Sequence, residues 1–203
     1  TDMKQQFLIT WTIILLIATG CYHHVDYLIT DSVFIEDAES PGLPIYSERG
    51  YNSFGVYWGL QPWTTGRGHD PSKIVVKEDT CHIYLSGSIR NETPYTLVLS
   101  LPDYTPTDYT ALLSLNKRSY DLTGTDCSLS LLLGHTPCKL EILEGELHLK
   151  RVQNLYIDKE LQGTVLSGTF SFKATVDGNP ATFSNGRFDM RFGEENFYYL
   201  QQQ

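Results

Sequence analysis

From Cys81 to Phe192 the chain alternates apolar and polar residues in run after run, and few folds can hold such a pattern. "CHIYLSGSI" sets Cys81, Ile83, Leu85 and Ile89 on one face and His82, Tyr84, Ser86 and Ser88 on the other. "PYTLVLSLP" groups Tyr95, Leu97, Leu99 and Leu101, "CSLSLLL" groups Leu129, Leu131 and Leu133, and "GELHLKRV" pairs Leu147 with Leu149. "GTFSFKATV" aligns Phe170, Phe172, Ala174 and Val176 against Ser171, Lys173 and Thr175. "GRFDMRF" opposes Phe188, Met190 and Phe192 to Arg187, Asp189 and Arg191. Period-two patterning is the mark of strands with one face on a core and the other in water, as in antiparallel sheets.

Turn signals separate the runs: "LTGTD" at 122–126, "DGNP" at 177–180 and "SNG" at 184–186. "ATVDGNPATF" reads as a hairpin, with Asp177 and Gly178 supplying the positive φ angles of a tight turn. Helical signal is confined to "PTDYTALLSL", where a capping Thr or Asp precedes Ala111, Leu112 and Leu115. The expected fold is all-β: an antiparallel β-sandwich, Ig-like or jelly-roll-like, with at most one short helix near 106–115. The alternative is a lipocalin-like barrel, which needs apolar side chains around an open cavity instead of a filled core.

The N-terminus follows another pattern. Phe7 to Ile17 is apolar but for Thr10 and Thr12; Lys4 precedes it, and Ala18, Thr19 and Gly20 close it. The run falls short of the roughly 18 residues that span a bilayer as a helix, and its positive, apolar, small-residue order is that of a secretory signal peptide. Translation is expected to start at Met3. "ATGC" resembles the lipobox of bacterial lipoproteins, which implies residues 1–20 as a signal peptide and Cys21 as the lipid-attachment residue. It also implies export and anchorage to a bacterial membrane, read here as the outer membrane with the face left open. One acyl chain holds a protein only marginally, and two or more hold it firmly.

Residues 21–45 carry Asp26, Asp31, Glu36, Asp37 and Glu39 without Lys or Arg and end in Ser, Pro and Gly, as an acidic tether would. Val33, Phe34 and Ile35 are apolar enough to dock on the domain. Residues 46–203 then form a single β-sandwich domain. Asp2 and Lys4 cancel, so removing the leader leaves the formal charge at -9. That acidity argues against nucleic acid as a partner and against electrostatic adhesion to anionic lipid.

Three cysteines follow Cys21. Cys127 and Cys138 bracket a strand-like run and a turn, so a disulfide across neighbouring strands is one reading; Cys81 is read as a small buried hydrophobe. No cysteine spacing suits a zinc site, and neither a metal nor another cofactor is expected.

The segment "VLSGTFSFKATVDGNPATFSNGRFDMRF", 165–192, resembles the closing hairpin of small uncharacterised Bacteroidetes lipoproteins, a domain of unknown function. In those a "SGTFSF" strand leads through a turn to a strand ending "NGRFD". "GYNSFGVYWG", 50–59, is similar to their opening "TFG" strand. The resemblance implies an all-β exported lipoprotein and no particular activity. Its Phe170, Phe172, Phe183 and Phe188 read as packing residues, each contributing about 1.5–3 kcal/mol when buried.

Sequence motifs of nucleophile elbows, zincins, P-loops and dinucleotide sites are missing. His23 and His24 with Asp26 are weak metal ligands, because adjacent residues of an extended chain point apart. "TTGRGHDP", 64–71, offers Arg67, His69 and Asp70 for anion binding or acid–base work, though a surface loop explains it as well. Glu144 and Glu146 suggest the carboxylate pair of a glycosidase, but both flank Gly145, read as a turn, so a solvated strand edge is the better reading. Tyr57, Trp58 and Trp63 form the candidate ligand-binding platform, able to stack on sugar rings if they are exposed.

The expected function is a non-catalytic binding or structural role in the bacterial cell envelope. The partners are a membrane, through the lipid, and a glycan or envelope protein. The alternative is a hydrolase of envelope or dietary polysaccharide working through Glu144, Glu146 or the His69–Asp70 loop.

Overall fold

A computed structural model describes residues 31–65 and 72–200. Cys21, His23, His24, Asp26, Arg67, His69 and Asp70 lie outside the described residues. Among the described residues no helix is long and apolar enough to cross a membrane.

The fold is all-β. A small hairpin, β1 (Glu36–Asp37) and β2 (Ser40–Pro44), stands apart from one large sheet. That sheet contains β3 (Ser53–Trp58), β4 (Gln61–Thr64), β5 (Ser72–Lys77), β6 (Thr80–Ile89) and β7 (Thr93–Pro102). After a 3-10 helix, Tyr109–Leu115, come β8 (Ser119–Asp121), β9 (Ser128–Leu133) and β10 (Thr136–Cys138). Two long strands, β11 (Leu140–Ile157) and β12 (Glu160–Val176), then lead to β13 (Asn179–Phe192) and the short β14 (Phe197–Tyr199).

Hydrogen bonding runs β10-β9-β7-β6-β4-β3-β13-β12-β11-β8, with β5 beside β6 and β14 beside β5. The described pairings are antiparallel except β14 with β5, which is parallel. The two layers expected of a sandwich are thus halves of one sheet that curls into a half-barrel. The curl is visible in the chain itself: β10 at one end of the path and β11 near the other are separated by Lys139 alone. Lys139 is tied in turn to the β12–β13 turn, its amide donating to Asp177 Oδ1 and its carbonyl accepting from the Asp177 amide, both at 2.8 Å.

The alternating residues meet inside this curl. Ile83, Leu85, Leu97, Leu99, Leu131, Leu147, Leu149, Phe172, Phe188, Met190 and Phe192 belong to one buried cluster, so the interior is filled with side chains. The hairpin at 177–178 forms as expected, with φ of 49° at Asp177 and 83° at Gly178. The helical segment also falls where expected but is a 3-10 helix, capped by the Asp108 carboxylate, which accepts from the amides of Thr110 and Ala111. "SNG" is not a turn between strands. It is an irregularity within β13, with Asn185 at φ 53° and the register shifting between Ser184 and Arg187. Gly145 is not at a turn either: it lies inside β11 opposite Phe172, where a Cβ would come within 2.4 Å of the Phe172 Cβ.

The described part of the expected tether is folded. Leu43 is fully buried. Pro44 lies over Gly55, where a Cβ would stand 2.4 Å from the Pro44 Cδ. The Tyr57 hydroxyl donates to the Pro41 carbonyl at 2.7 Å. Arg187 pairs with Asp37 and also donates to Ser40 Oγ and the Pro44 carbonyl. One apolar side chain and one partly buried ion pair thus convert residues 36–44 from linker into a second layer over the outer face of β3, β4 and β13.

Two polar residues break the alternation rule. Asp189 and Arg191 are placed by periodicity on the watery face yet are 1% and 4% exposed. The Asp189 carboxylate is satisfied by the amides of Arg49, Gly50 and Tyr51 and by the Ser167 hydroxyl. Arg191 donates to the Gln162 carbonyl and pairs with Glu195. Burying such groups is tolerable only with partners of this kind.

Candidate functional site

The aromatic platform does not exist as a surface. Trp63 is fully buried, ringed by Phe54, Trp58, Tyr95 and Phe183 with centroids 5.0–6.4 Å away. Trp58 also points inward, half-buried, its ring tilted against Phe183 and edge-on to Tyr95. Tyr57 faces outward, its hydroxyl committed to the docked hairpin. Alternation along β3 sends neighbours to opposite faces, so the three rings cannot present one flat stack.

Cys127 and Cys138 are not bridged; both are free thiols, as is Cys81. Cys138 pairs in register with Leu131, four residues from Cys127, which just precedes β9. That offset is about 13 Å, beyond the roughly 7 Å between Cα atoms that a disulfide tolerates. Burial pushes the Cys81 and Cys127 thiols up to about 12. Cys81 is the small buried hydrophobe expected. Among the described residues no cluster of three or more His, Cys, Asp or Glu could hold a metal.

One polar feature with shape lies on the outer face of β11, β12 and β13. Register sets Glu144 opposite Lys173, Glu146 opposite Ser171 and His148 opposite Thr169, while Thr169 faces Arg187 on β13. Two open concavities occupy this face. One, of about 460 Å³, is lined by Glu144, Gly145, Glu146, Ser171, Phe172, Lys173, Thr182, Phe183 and Ser184. The other, of about 340 Å³, is lined by Tyr46, Glu146, His148, Thr169, Phe170, Ser171, Asn185, Gly186 and Arg187. They share Glu146 and Ser171, so together they make one groove across three strands. Gly145 and Gly186 lie beneath it, their open sides turned inward against Phe172 and Phe170.

Its charges are paired. Lys173 Nζ lies 2.7 Å from Glu144, and that hydrogen bond, then the charge, raises the lysine above its ordinary value. His148 Nε2 is 3.2 Å from Glu146, and its Nδ1 is 2.8 Å from the Ser119 hydroxyl of β8. Residue types and reach are those of a nucleophile, a base and an orienting carboxylate. Placement is not: Ser119 lies on the far side of β11 from β12 and does not line the groove.

Glu144 and Glu146, two apart on one face, are separated by roughly 6.6 Å along the strand, within the spacing of glycosidase carboxylates. Their surroundings differ from such a site. Both side chains are more than 60% exposed, Glu144 against the Lys173 ammonium and Glu146 against the His148 ring, whereas a glycosidase general acid sits in a desolvated pocket.

Comparison with protein-family models, with curated proteins and with solved structures finds no match to this chain.

Sequence reasoning reached Glu144 and Glu146 but missed Lys173, His148, Ser171 and Arg187. The spacing of "GELHLK" does put Glu146 and His148 on one face. Their cross-strand neighbours, however, depend on irregularities at Ile142–Glu144, Phe170–Phe172 and Ser184–Arg187 that no local pattern announces.

Proposed function

We propose that the chain is a non-catalytic binding protein of the bacterial cell envelope, tethered to the membrane through lipid on Cys21. In this reading it holds an extended, hydroxyl-rich chain such as a glycan along the groove of β11, β12 and β13. One observation carries the proposal: the two concavities adjoin at Glu146 and Ser171 and together present hydroxyls, an amide and paired charges across three strands. Such a lining offers hydrogen bonds in many directions, and its carboxylates are exposed and already paired.

The experiment is a titration of the full chain, in mild detergent, against a panel of envelope and plant oligosaccharides, with product analysis of each mixture. Binding that weakens on Ser171→Trp, which fills the channel between its two halves, is the expected result. Bond cleavage that Glu144→Gln or Glu146→Gln abolishes would replace this reading with the hydrolase. Mass spectrometry of material taken from cells tests the tether separately: a diacylglyceryl group on Cys21 is expected, and an unmodified N-terminus would refute it.

A further inference from the structure

The two concavities are lined by three cationic or potentially cationic side chains: Lys173, His148 and Arg187. Lys173 and His148 take their carboxylates from the groove itself, Glu144 and Glu146. Arg187 does not. Its counter-ion is Asp37, which belongs to the docked hairpin and comes from far away in the sequence. The rest of the guanidinium is held at the rim of the channel: Nε donates to the Asn185 carbonyl at 3.2 Å and Nη2 to Ser40 Oγ at 3.2 Å. A guanidinium in a fixed plane suits a carboxylate, because its fork of donors matches the two oxygens.

Asp37 is only part of what holds the hairpin. Leu43 is buried, Pro41 accepts from Tyr57, and Pro44 sits over Gly55. The Asp37 carboxylate is also anchored without Arg187, accepting from the Glu39 amide at 3.0 Å. The hairpin can therefore stay docked while Arg187 exchanges one carboxylate for another.

We infer that Arg187 is the anion-recognition residue of the groove and that Asp37 is a built-in competitor holding its place. This deepens the binding reading above and rests on it: the ligand class becomes a chain bearing carboxylates, such as a uronate-containing polysaccharide. Lys173 is answered by Glu144 from within the groove, so Arg187, whose carboxylate comes from outside it, supplies the selectivity. Asp37 sets a threshold, because a ligand must displace an intramolecular carboxylate already in place. An isolated carboxylate then binds poorly, whereas a chain that also fills the channel displaces it.

The test is calorimetric titration of the full chain in mild detergent with an oligogalacturonate and with a neutral glucan of equal length. Asp37→Asn keeps the acceptor for the Glu39 amide and removes the charge. It should tighten oligogalacturonate binding several-fold and leave the glucan unchanged. Arg187→Lys should lose the preference for the acidic chain, and thermal unfolding of both variants reports whether the hairpin stays docked. Equal affinity for the acidic chain with and without the Asp37 charge overturns the inference, as does a wild-type chain that prefers the glucan. Binding of the glucan alone, lost in Ser171→Trp, would sink the inference and leave the groove reading standing. No binding of either chain by any variant sinks both.

Discussion

Trp63 lies against Gly87: a Cβ added at Gly87 would stand 2.9 Å from the indole Nε1 and 2.6 Å from the Thr64 carbonyl oxygen. The strand that carries Gly87 can pass so close to β4 because it has no side chain at that point. Gly87→Ala is expected to lower stability by about 1–3 kcal/mol through overpacking, read as a drop in the urea midpoint with the slope unchanged.

The indole N–H of Trp63 is itself buried without a hydrogen-bond partner. Trp63→Ala should therefore cost about 3–5 kcal/mol through the cavity it leaves. Trp63→Phe should cost clearly less, since the smaller ring also removes an unsatisfied donor. Oligosaccharide titration of the folded Trp63→Phe chain should match the wild type, because this ring is core and not platform.

Gly55 plays the same part on the outside. A methyl there meets Pro44 Cδ at 2.4 Å, and rigid backbone behind it cannot yield. Gly55→Val is expected to lift the β1–β2 hairpin while the main sheet persists. Limited proteolysis should then cut near residues 36–44, and hydrogen exchange should speed up at the Gly42 and Ile45 amides, which bond to the Glu36 carboxylate and the Ile35 carbonyl.

His82 provides a pH signature. Burial first, and Lys77 second, hold its imidazole below the ordinary value, with Glu78 opposing. The unfolded chain takes up the proton near pH 6.5, the folded one only at lower pH. Between those points the unfolded state binds more protons, so stability is full above about pH 6.5 and falls as the pH drops below it. His82→Gln, with Ser100 still able to hydrogen-bond the new side chain, should flatten that limb of a stability–pH profile measured by urea unfolding.

Thiol labelling separates the cysteines of the sheet. Cys81 and Cys127 are buried, with thiols pushed up to about 12, while Cys138 is only partly covered. In the native chain Cys138 should react with a thiol reagent and the other two should not; all three should react once unfolded. A mass two units lower for a Cys127–Cys138 peptide pair would contradict the register of β9 and β10.

Much of the sheet was legible because alternation is local. Leu97, Leu99, Phe170, Phe172 and Phe188 face inward where their spacing puts them, and the Asp177–Gly178 turn follows from side-chain chemistry alone. Trp63 was harder, since the four residues of β4 are too few for a period to show. Asp189 was misread because its partners are backbone amides from residues 49–51, about 140 positions away. The docked hairpin escaped notice for a related reason: Leu43 is a single apolar residue among Ser, Pro and Gly, and the arginine that grips Asp37 is remote. The groove depends on three strands coming into register through several irregularities, and register is a property of the assembled sheet.

The ends of the large sheet bear on how the molecule behaves in a crowd. β8 and β10, which terminate its hydrogen-bonded path, are three residues long. Behind β8, the rim of β11 is occupied by Arg118, Asn116 and Leu122, which bond to Leu149, Val152 and Gly145. At these two ends a neighbouring chain looking for unpaired backbone to zip onto meets three-residue strands and, along the middle of β11, a stretch already taken. Copies packed side by side should stay separate instead of growing into fibrils.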